Sequence, residues 1–396
     1  MTPVAPSLAE WLDEHGEGLV ALRRNLHAHP ELSGDEHATT ELVEERLRLA
    51  GLEPRRLACG TGLACDLVPT NGDGSAPLIA LRADLDALAM TDDKAVSYAS
   101  RHPGVAHACG HDVHTTIVLG VALYFAHHRD HLPGPVRFLF QPAEERVPGG
   151  ALDVLSDGGL DGVGAIVGLH CEPKLDVGTI GLKTGAISSA ADMAVIRLGG
   201  PGGHTARPEL TVDLVALGAR IVNELPARVA NRLDDPAQLK LVFGSIHAGD
   251  AANVIPTHCE LKASIRTPSL PVWERLPELV DSEVASIVGQ SGAVLEINYT
   301  HGVPPVVNDA DVTETVRRAA IDVVGAESVT MVEQSWGGDD FAWFTREVPG
   351  TYVRLGVRDP AGPTLDLHAG HFDVDERSIG LGVRLLVGAV HEHFRT

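Results

Sequence analysis

The chain has 396 residues, 44% of them hydrophobic and 21% charged, with a formal net charge of −23. That length predicts two or three domains, each able to bury its own core. The acidity, with no Lys/Arg run to offset it, excludes a nucleic-acid backbone as partner, because such a surface repels phosphate.

Ser7 with Glu10 three residues on reads as a capping box. Leu8, Trp11, Leu12, Leu19 and Leu22 then follow helical spacing, so a helix is expected over 8–28, ending near Pro30. A second helix is expected over 36–50, stopped by Gly51. The first residues lack the basic start and apolar block of a signal peptide. Five cysteines, an odd number in a long chain, do not suit a disulfide framework. Cys59, Cys65 and Cys259 are expected as free thiols in a reducing compartment.

The apolar run 77–81 reads as a buried parallel strand. It delivers Arg82, Asp84, Asp86 and Leu88 beyond its end. The stretch from His107 to His114, HACGHDVH, holds three imidazoles, one thiol and one carboxylate in eight residues. A lone Cys behaves as a small hydrophobe, but a thiol and an imidazole two residues apart suit a borderline metal. The apolar run 117–126 behind it reads as a helix, too short to span a bilayer. A strand is expected at 136–140, followed at once by Gln141-Pro142-Ala143-Glu144-Glu145. Another, at 164–169, runs into His170. Three strands that end in acids or imidazoles predict a doubly wound α/β domain with its site at the strands' carboxyl ends.

The pattern changes after about Ser188. A strand at 193–198, a helix at 212–225, strands at 239–246 and 258–265, a helix at 273–288 and a strand at 294–299 give a β-α-β-β-α-β order. That order suits a ferredoxin-like α+β sandwich. Residues 188–302 are therefore expected as a domain inserted into one made of 1–187 and 303–396. The latter resumes with a helix at 312–324, a strand at 351–355, a polar loop carrying His368 and a closing helix at 376–393.

Asp84, Asp86, Cys109, His111, Glu144, Glu145, His170 and His368 come from five separate segments. Singly each has a dull explanation; acids at a helix start, for example, simply suit its dipole. Together they supply donors for two metals. Paired metals about 3.5–4 Å apart can hold a bridging water, lower its pKa and polarise a carbonyl. Such chemistry needs a spare carboxylate to move the proton, and Glu144 and Glu145 offer one donor and one base. The spacing does not say which is which. His204, after two glycines that permit close backbone approach, reads equally as a turn residue or as a group for an oxyanion. Asn253 is a similar case. Arg266 could fork onto a substrate carboxylate or pair with an acid.

These motifs resemble the metal-dependent N-acyl-amino-acid amidohydrolases, including hippurate hydrolase and the indole-acetyl-amino-acid hydrolases, within the aminoacylase/carboxypeptidase superfamily. The matching segments are Arg23–His27 with Pro30-Glu31-Leu32, Leu81–Leu88, His107–Asp112, Gln141–Glu145, Gly168-Leu169-His170, Gly202-Gly203-His204, Asn253–Pro256, Asp340-Phe341 and His368 with Phe372. The resemblance implies a zinc-peptidase-like catalytic domain, its mostly parallel sheet flanked by helices, with the inserted domain as lid and dimerisation module. It implies Cys109, His111, Glu145, His170 and His368 as ligands of two divalent metals (Zn, Mn, Co or Ni), with His111 bridging. Glu144 matches the general base, and Asp86 an aspartate supporting a metal ligand. His204 matches a lid histidine that completes the partner subunit's site, and Asn253 and Arg266 match substrate contacts. The implied reaction is hydrolysis of small N-acyl amino acids by a cytoplasmic homodimer or higher homo-oligomer, with no membrane or nucleic-acid partner. The rivals are a carboxypeptidase or dipeptidase with the same site, and a catalytically degenerate ligand-binding relative. Asp339, Ala89, Pro201 and Ala369-Gly370 depart from the family pattern without removing a ligand or the base.

Overall fold

A computed structural model describes residues 7–70 and 76–395. The chain divides into two compact units. The first comprises 1–187, 307–333 and 340–396; the second comprises 188–306 with 334–339.

In the first unit, helix α1 (Leu8–Ala28) starts at the Ser7/Glu10 capping box and buries Trp11, Leu12, Leu19, Leu22 and Leu26. Helix α2 spans His37–Leu49 and α3 spans His111–His127. α3 is buried nearly all round, which explains its continuous apolar sequence. Strands β1 (Arg55–Arg56), β2 (Leu63–Leu67), β3 (Leu78–Asp84), β4 (Val136–Gln141), β5 (Val163–Asp176) and β6 (Ile180–Leu182) follow. With β7 (Val329–Met331) and β8 (Gly350–Arg358) they form one eight-stranded sheet, in the order β1-β2-β4-β3-β5-β8-β6-β7. The centre, β4-β3-β5-β8, is parallel. β2 runs antiparallel to β4, and β6 to β8. From β3 the chain crosses through α3 to β4 on one side, then returns to β5 on the other. A reversal of this kind opens a crevice at the strands' carboxyl ends.

Two strands outrun the sequence expectation. β3 continues through Arg82 and Asp84, because those opposite charges pair with each other inside the sheet. β5 does not stop at Leu169 but carries His170 and Cys171 in register with Arg354 and Leu355 of β8. α3 begins at His111, so the second half of the HACGHDVH motif, His111 to His114, is its first turn.

The second unit has a four-stranded antiparallel sheet of Ala191–Gly199, Lys240–His247, His258–Arg266 and Val294–Val303. Numbered one to four in chain order, the strands lie 2-3-1-4. Helices Leu214–Ala230 and Leu270–Val288 connect them, as a ferredoxin-like unit requires. The first helix runs past Pro226 to Ala230, because Leu225 and Val229 stay buried on its apolar face. Residues 334–339 group with this unit: Arg266 Nη1 and Ser189 Oγ both donate to the Trp336 carbonyl. All five cysteines are free. Among the described residues no helix is long and apolar enough to cross a membrane.

Candidate metal centre

At the carboxyl end of β3 and within β5, Asp84 and His170 meet the first turn of α3: Asp84 Oδ1 lies 2.7 Å from His114 Nδ1, and the His170 and His114 ring centroids are 5.0 Å apart. Gly110, just before that turn, has φ +91°. A Cβ there would lie 2.7 Å from Cys171 Sγ. Only glycine lets α3 start this close to β5, and the approach brings Cys109 Sγ to 3.4 Å from His170 Nε2. Cys109, His111 and His170 are all buried.

The five predicted donors fall into overlapping groups whose ligand atoms lie within 4.8 Å of one another. One is Cys109, His111 and His170; another is Cys109, Glu145 and His368; a third is His111, Glu144 and Glu145. Cys109, His111 and Glu145 each belong to two of these three. His111 points Nδ1 at the Asp86 carbonyl, 2.9 Å away, leaving Nε2 buried without a hydrogen-bond partner. It therefore offers one lone pair, enough for one cation, whereas a thiolate sulfur can serve two. A pair of cations bound here would share Cys109 rather than His111.

The supports are built in. His170 Nδ1 lies 2.7 Å from the Cys171 carbonyl, an acceptor, so its proton sits on Nδ1 and Nε2 is bare. Asp86 is buried, with Oδ1 3.3 Å from His111 Nδ1. Its Oδ2 accepts from Ser33 Oγ (2.6 Å) and from the Glu145 N–H (2.9 Å). Glu144 Oε2 lies 3.8 Å from His111 Nε2. His368 is the exposed member, with Nε2 3.2 Å from Glu145 Oε1. Among the described residues the only non-glycines with positive φ are Ala143 (+54°) and His368 (+56°). Backbone strain of that kind concentrates at functional sites. Here it is held by two bonds: Ala143 N–H to buried Glu36 (2.8 Å) and His368 N–H to the Ala108 carbonyl (2.8 Å).

Burial pushes the Cys109 thiol well above its usual range, with His111 pulling the other way. Burial also holds His170 well below the usual imidazole value. A neutral imidazole and a thiol that ionises only beside positive charge are donors awaiting a cation.

In the second unit, His204 and Val254 pair across a two-stranded ladder, and Thr205 N–H reaches the Asn253 carbonyl at 3.3 Å. The structure thus brings His204 and Asn253 together, both exposed. Arg266 lies on a different sheet, half-buried, with Nη1 3.0 Å from the Trp336 carbonyl.

Sequence reasoning collected Asp84 with the candidate metal donors but gave no role to Arg82, Gln141 and His114, which surround it in a buried cluster under the site. Arg82 donates to Asp84, to Gln141 Oε1 (2.8 Å) and to Asp340 Oδ1 (2.9 Å), and Asp84 meets His114. The available signal was the alternation of Arg82, Asp84 and Asp86 along one strand.

A doubly wound sheet whose carboxyl edge gathers thiol, imidazole and carboxylate donors is the architecture of a metal-dependent amide hydrolase. Residues 80–392 match the profile of peptidase family M20/M25/M40. The chain belongs to that family. An N-acetyl-L-cysteine deacetylase of Bacillus subtilis (strain 168) is 35% identical over 361 residues, 91% of this chain and 84% of that protein. An N-acyl-L-amino acid amidohydrolase of Geobacillus stearothermophilus is 38% identical over 297 residues, 75% of this chain and 80% of that protein. A Rhodococcus jostii (strain RHA1) protein carrying a glutamate–cysteine ligase name is 45% identical over 376 residues, 95% of this chain. This chain spans only 46% of that relative's length. The crystal structure of Bacillus subtilis YXEP, described as a dinuclear metal binding peptidase, matches with TM-score 0.84 at 31% identity. The match covers 97% of this chain and 99% of that one.

Proposed function

We propose that this chain hydrolyses the amide bond of N-acyl amino acids, using two divalent cations. Cys109, His111 and His170 would hold one; Cys109, Glu145 and His368 would hold the other. The observation that carries this reading is the pair of three-donor groups sharing one thiol. The bare, buried His111 Nε2 fits it as well. Soft sulfur with imidazole and carboxylate suits Zn, Mn, Co or Ni. Bound there, the cations supply Lewis acidity toward water and the amide carbonyl.

The protein's own part is positioning and proton transfer. Asp86 fixes the His111 ring from behind. Glu144 borders the donors without belonging to either cation's set. As water oxygen attacks the carbonyl carbon, Glu144 takes its proton and returns it to the nitrogen as the C–N bond breaks. The products are a carboxylic acid and a free amino acid. His204 serves the oxyanion, from the lid of the partner subunit in a homodimer, with Asn253 and Arg266 as substrate contacts.

The test is turnover of hippurate, N-acetyl amino acids (N-acetyl-L-cysteine among them) and dipeptides, with each metal added back. Preference for acylated amino acids supports the reading. Turnover confined to peptides would replace it with a dipeptidase, and binding without turnover would replace it with a degenerate relative.

A further inference from the structure

β3 and β5 pair only as far as Arg82 and Gly168. Beyond that point β5 still runs through His170 and Cys171. The Cys171 N–H is taken not by a strand but by a side chain: it donates to His114 Nε2 at 2.9 Å. A backbone N–H can only donate, so Nε2 of His114 is a bare lone pair and the ring proton sits on Nδ1. That proton meets Asp84 Oδ1 at 2.7 Å. Asp84 in turn accepts from Arg82 through its other oxygen, and its carbonyl accepts from Thr115 Oγ1 at 2.8 Å. Asp84, Arg82 and His114 are all buried.

Asp84, His111 and His114 lie close enough to form a further three-donor group. The hydrogen bonds argue against His114 as a ligand, because both its nitrogens are engaged. One turn of α3 thus presents a donor, His111, and a brace, His114, three residues apart on one face.

We propose that Asp84 and His114 are positioning residues for the cation held by His170. Asp84 fixes the tautomer of His114, and His114 pins the Cys171 amide. The pinned residue presents its carbonyl to His170 Nδ1, 2.7 Å away, which aims His170 Nε2 toward Cys109. This rests on the reading of His170 as a cation donor. Supports of this kind typically change metal affinity by about 10–100-fold.

The test uses metal-free full-length protein titrated with Co(II), following its ligand-field absorption. Asp84→Asn keeps the shape but puts an amide donor against either His114 or Arg82. His114→Ala removes the brace. Both are expected to weaken one of the two cobalt-binding steps by about 10–100-fold and leave the other within about twofold. Equal weakening of both steps, or of neither, overturns the proposal. A merely structural role would lower the melting temperature of the metal-free protein without splitting the steps. Should a variant not fold, 15N spectra of histidine-labelled wild-type protein decide: His114 must carry its proton on Nδ1, and an Nε2–H signal overturns the chain of bonds. Wild-type cobalt uptake by His170→Ala would instead sink the reading of His170, leaving the tautomer result standing on its own.

Discussion

The two units carry their candidate residues in opposite ways. In the first, Cys109, His111, His170 and Asp86 are buried and cross-linked to strand ends. In the second, His204 and Asn253 sit exposed on a two-stranded ladder, and His204 Nδ1 accepts only a local N–H, from Ala206 at 3.0 Å. A cation needs several donors fixed within a few tenths of an ångström, so its site must be built by many bonds. A group that meets substrate must be reachable, so it sits on a loop carried by a scaffold. Under the proposed function, the difference would separate residues that make a site from residues that visit one.

Cys109→Ala breaks the comparison where the effect is largest. Both three-donor groups lose their common member, so the purified protein should lose at least one equivalent of metal and nearly all turnover. Elemental analysis beside the activity assay checks this, and full metal content would remove Cys109 from the site. Glu144→Gln comes next. It removes the proton acceptor while sparing every donor, so kcat should fall by about 10²–10⁴-fold with metal content intact. Near-normal turnover would pass the base's role to another group.

How far the sequence could be read follows from the same contrast. Cys109, His111, Glu144 and Glu145 stand out locally, because thiol, imidazole and paired acids crowd a few residues that packing does not need. The apolar runs of β3, β4 and β5 and the β-α-β-β-α-β order of the second unit are local patterns too, and so the fold class was legible. What stayed hidden is set by juxtaposition. Asp84 finds His114 only because β3 ends beside one turn of α3. Cys109 comes within 3.4 Å of His170 only because Gly110 admits Cys171. Residues 334–339 join the second unit through backbone carbonyls and amides, which leave no mark on residue type. The helix expected to end at 225 runs on instead, since buried Leu225 and Val229 on either side of Pro226 carry it onward.

His204→Ala sharpens the comparison from the other side. An oxyanion group is worth about 10²–10³-fold in kcat, so turnover should fall that far with metal content unchanged. If the group acts across subunits, mixing His204→Ala and Glu144→Gln protomers restores activity. The mixed dimer then has one site with an intact base and an intact partner histidine. Loss of metal on mutating His204 would erase the distinction between building and visiting.

The smallest effect is on stability against pH, and the two units should differ in its sign. In the first unit burial, then His131 and His127, hold His128 below the usual imidazole value. An unfolded histidine takes up its proton near pH 6.5, before the folded one does. Its contribution is therefore complete above about 6.5 and lost as pH falls below that. In the second unit burial raises the Asp192 carboxyl, although Tyr299, Trp273 and the Gly302 N–H donate to it. An acid held above its ordinary value contributes most below about pH 3.8, and that contribution is lost as pH rises through the folded value. Going from pH 7.5 to 5.5, hydrogen exchange corrected for its intrinsic rate should show protection falling in the first unit and holding or rising in the second. His128→Gln should remove part of the fall, and a fall shared equally by both units would show that neither buried group sets the response.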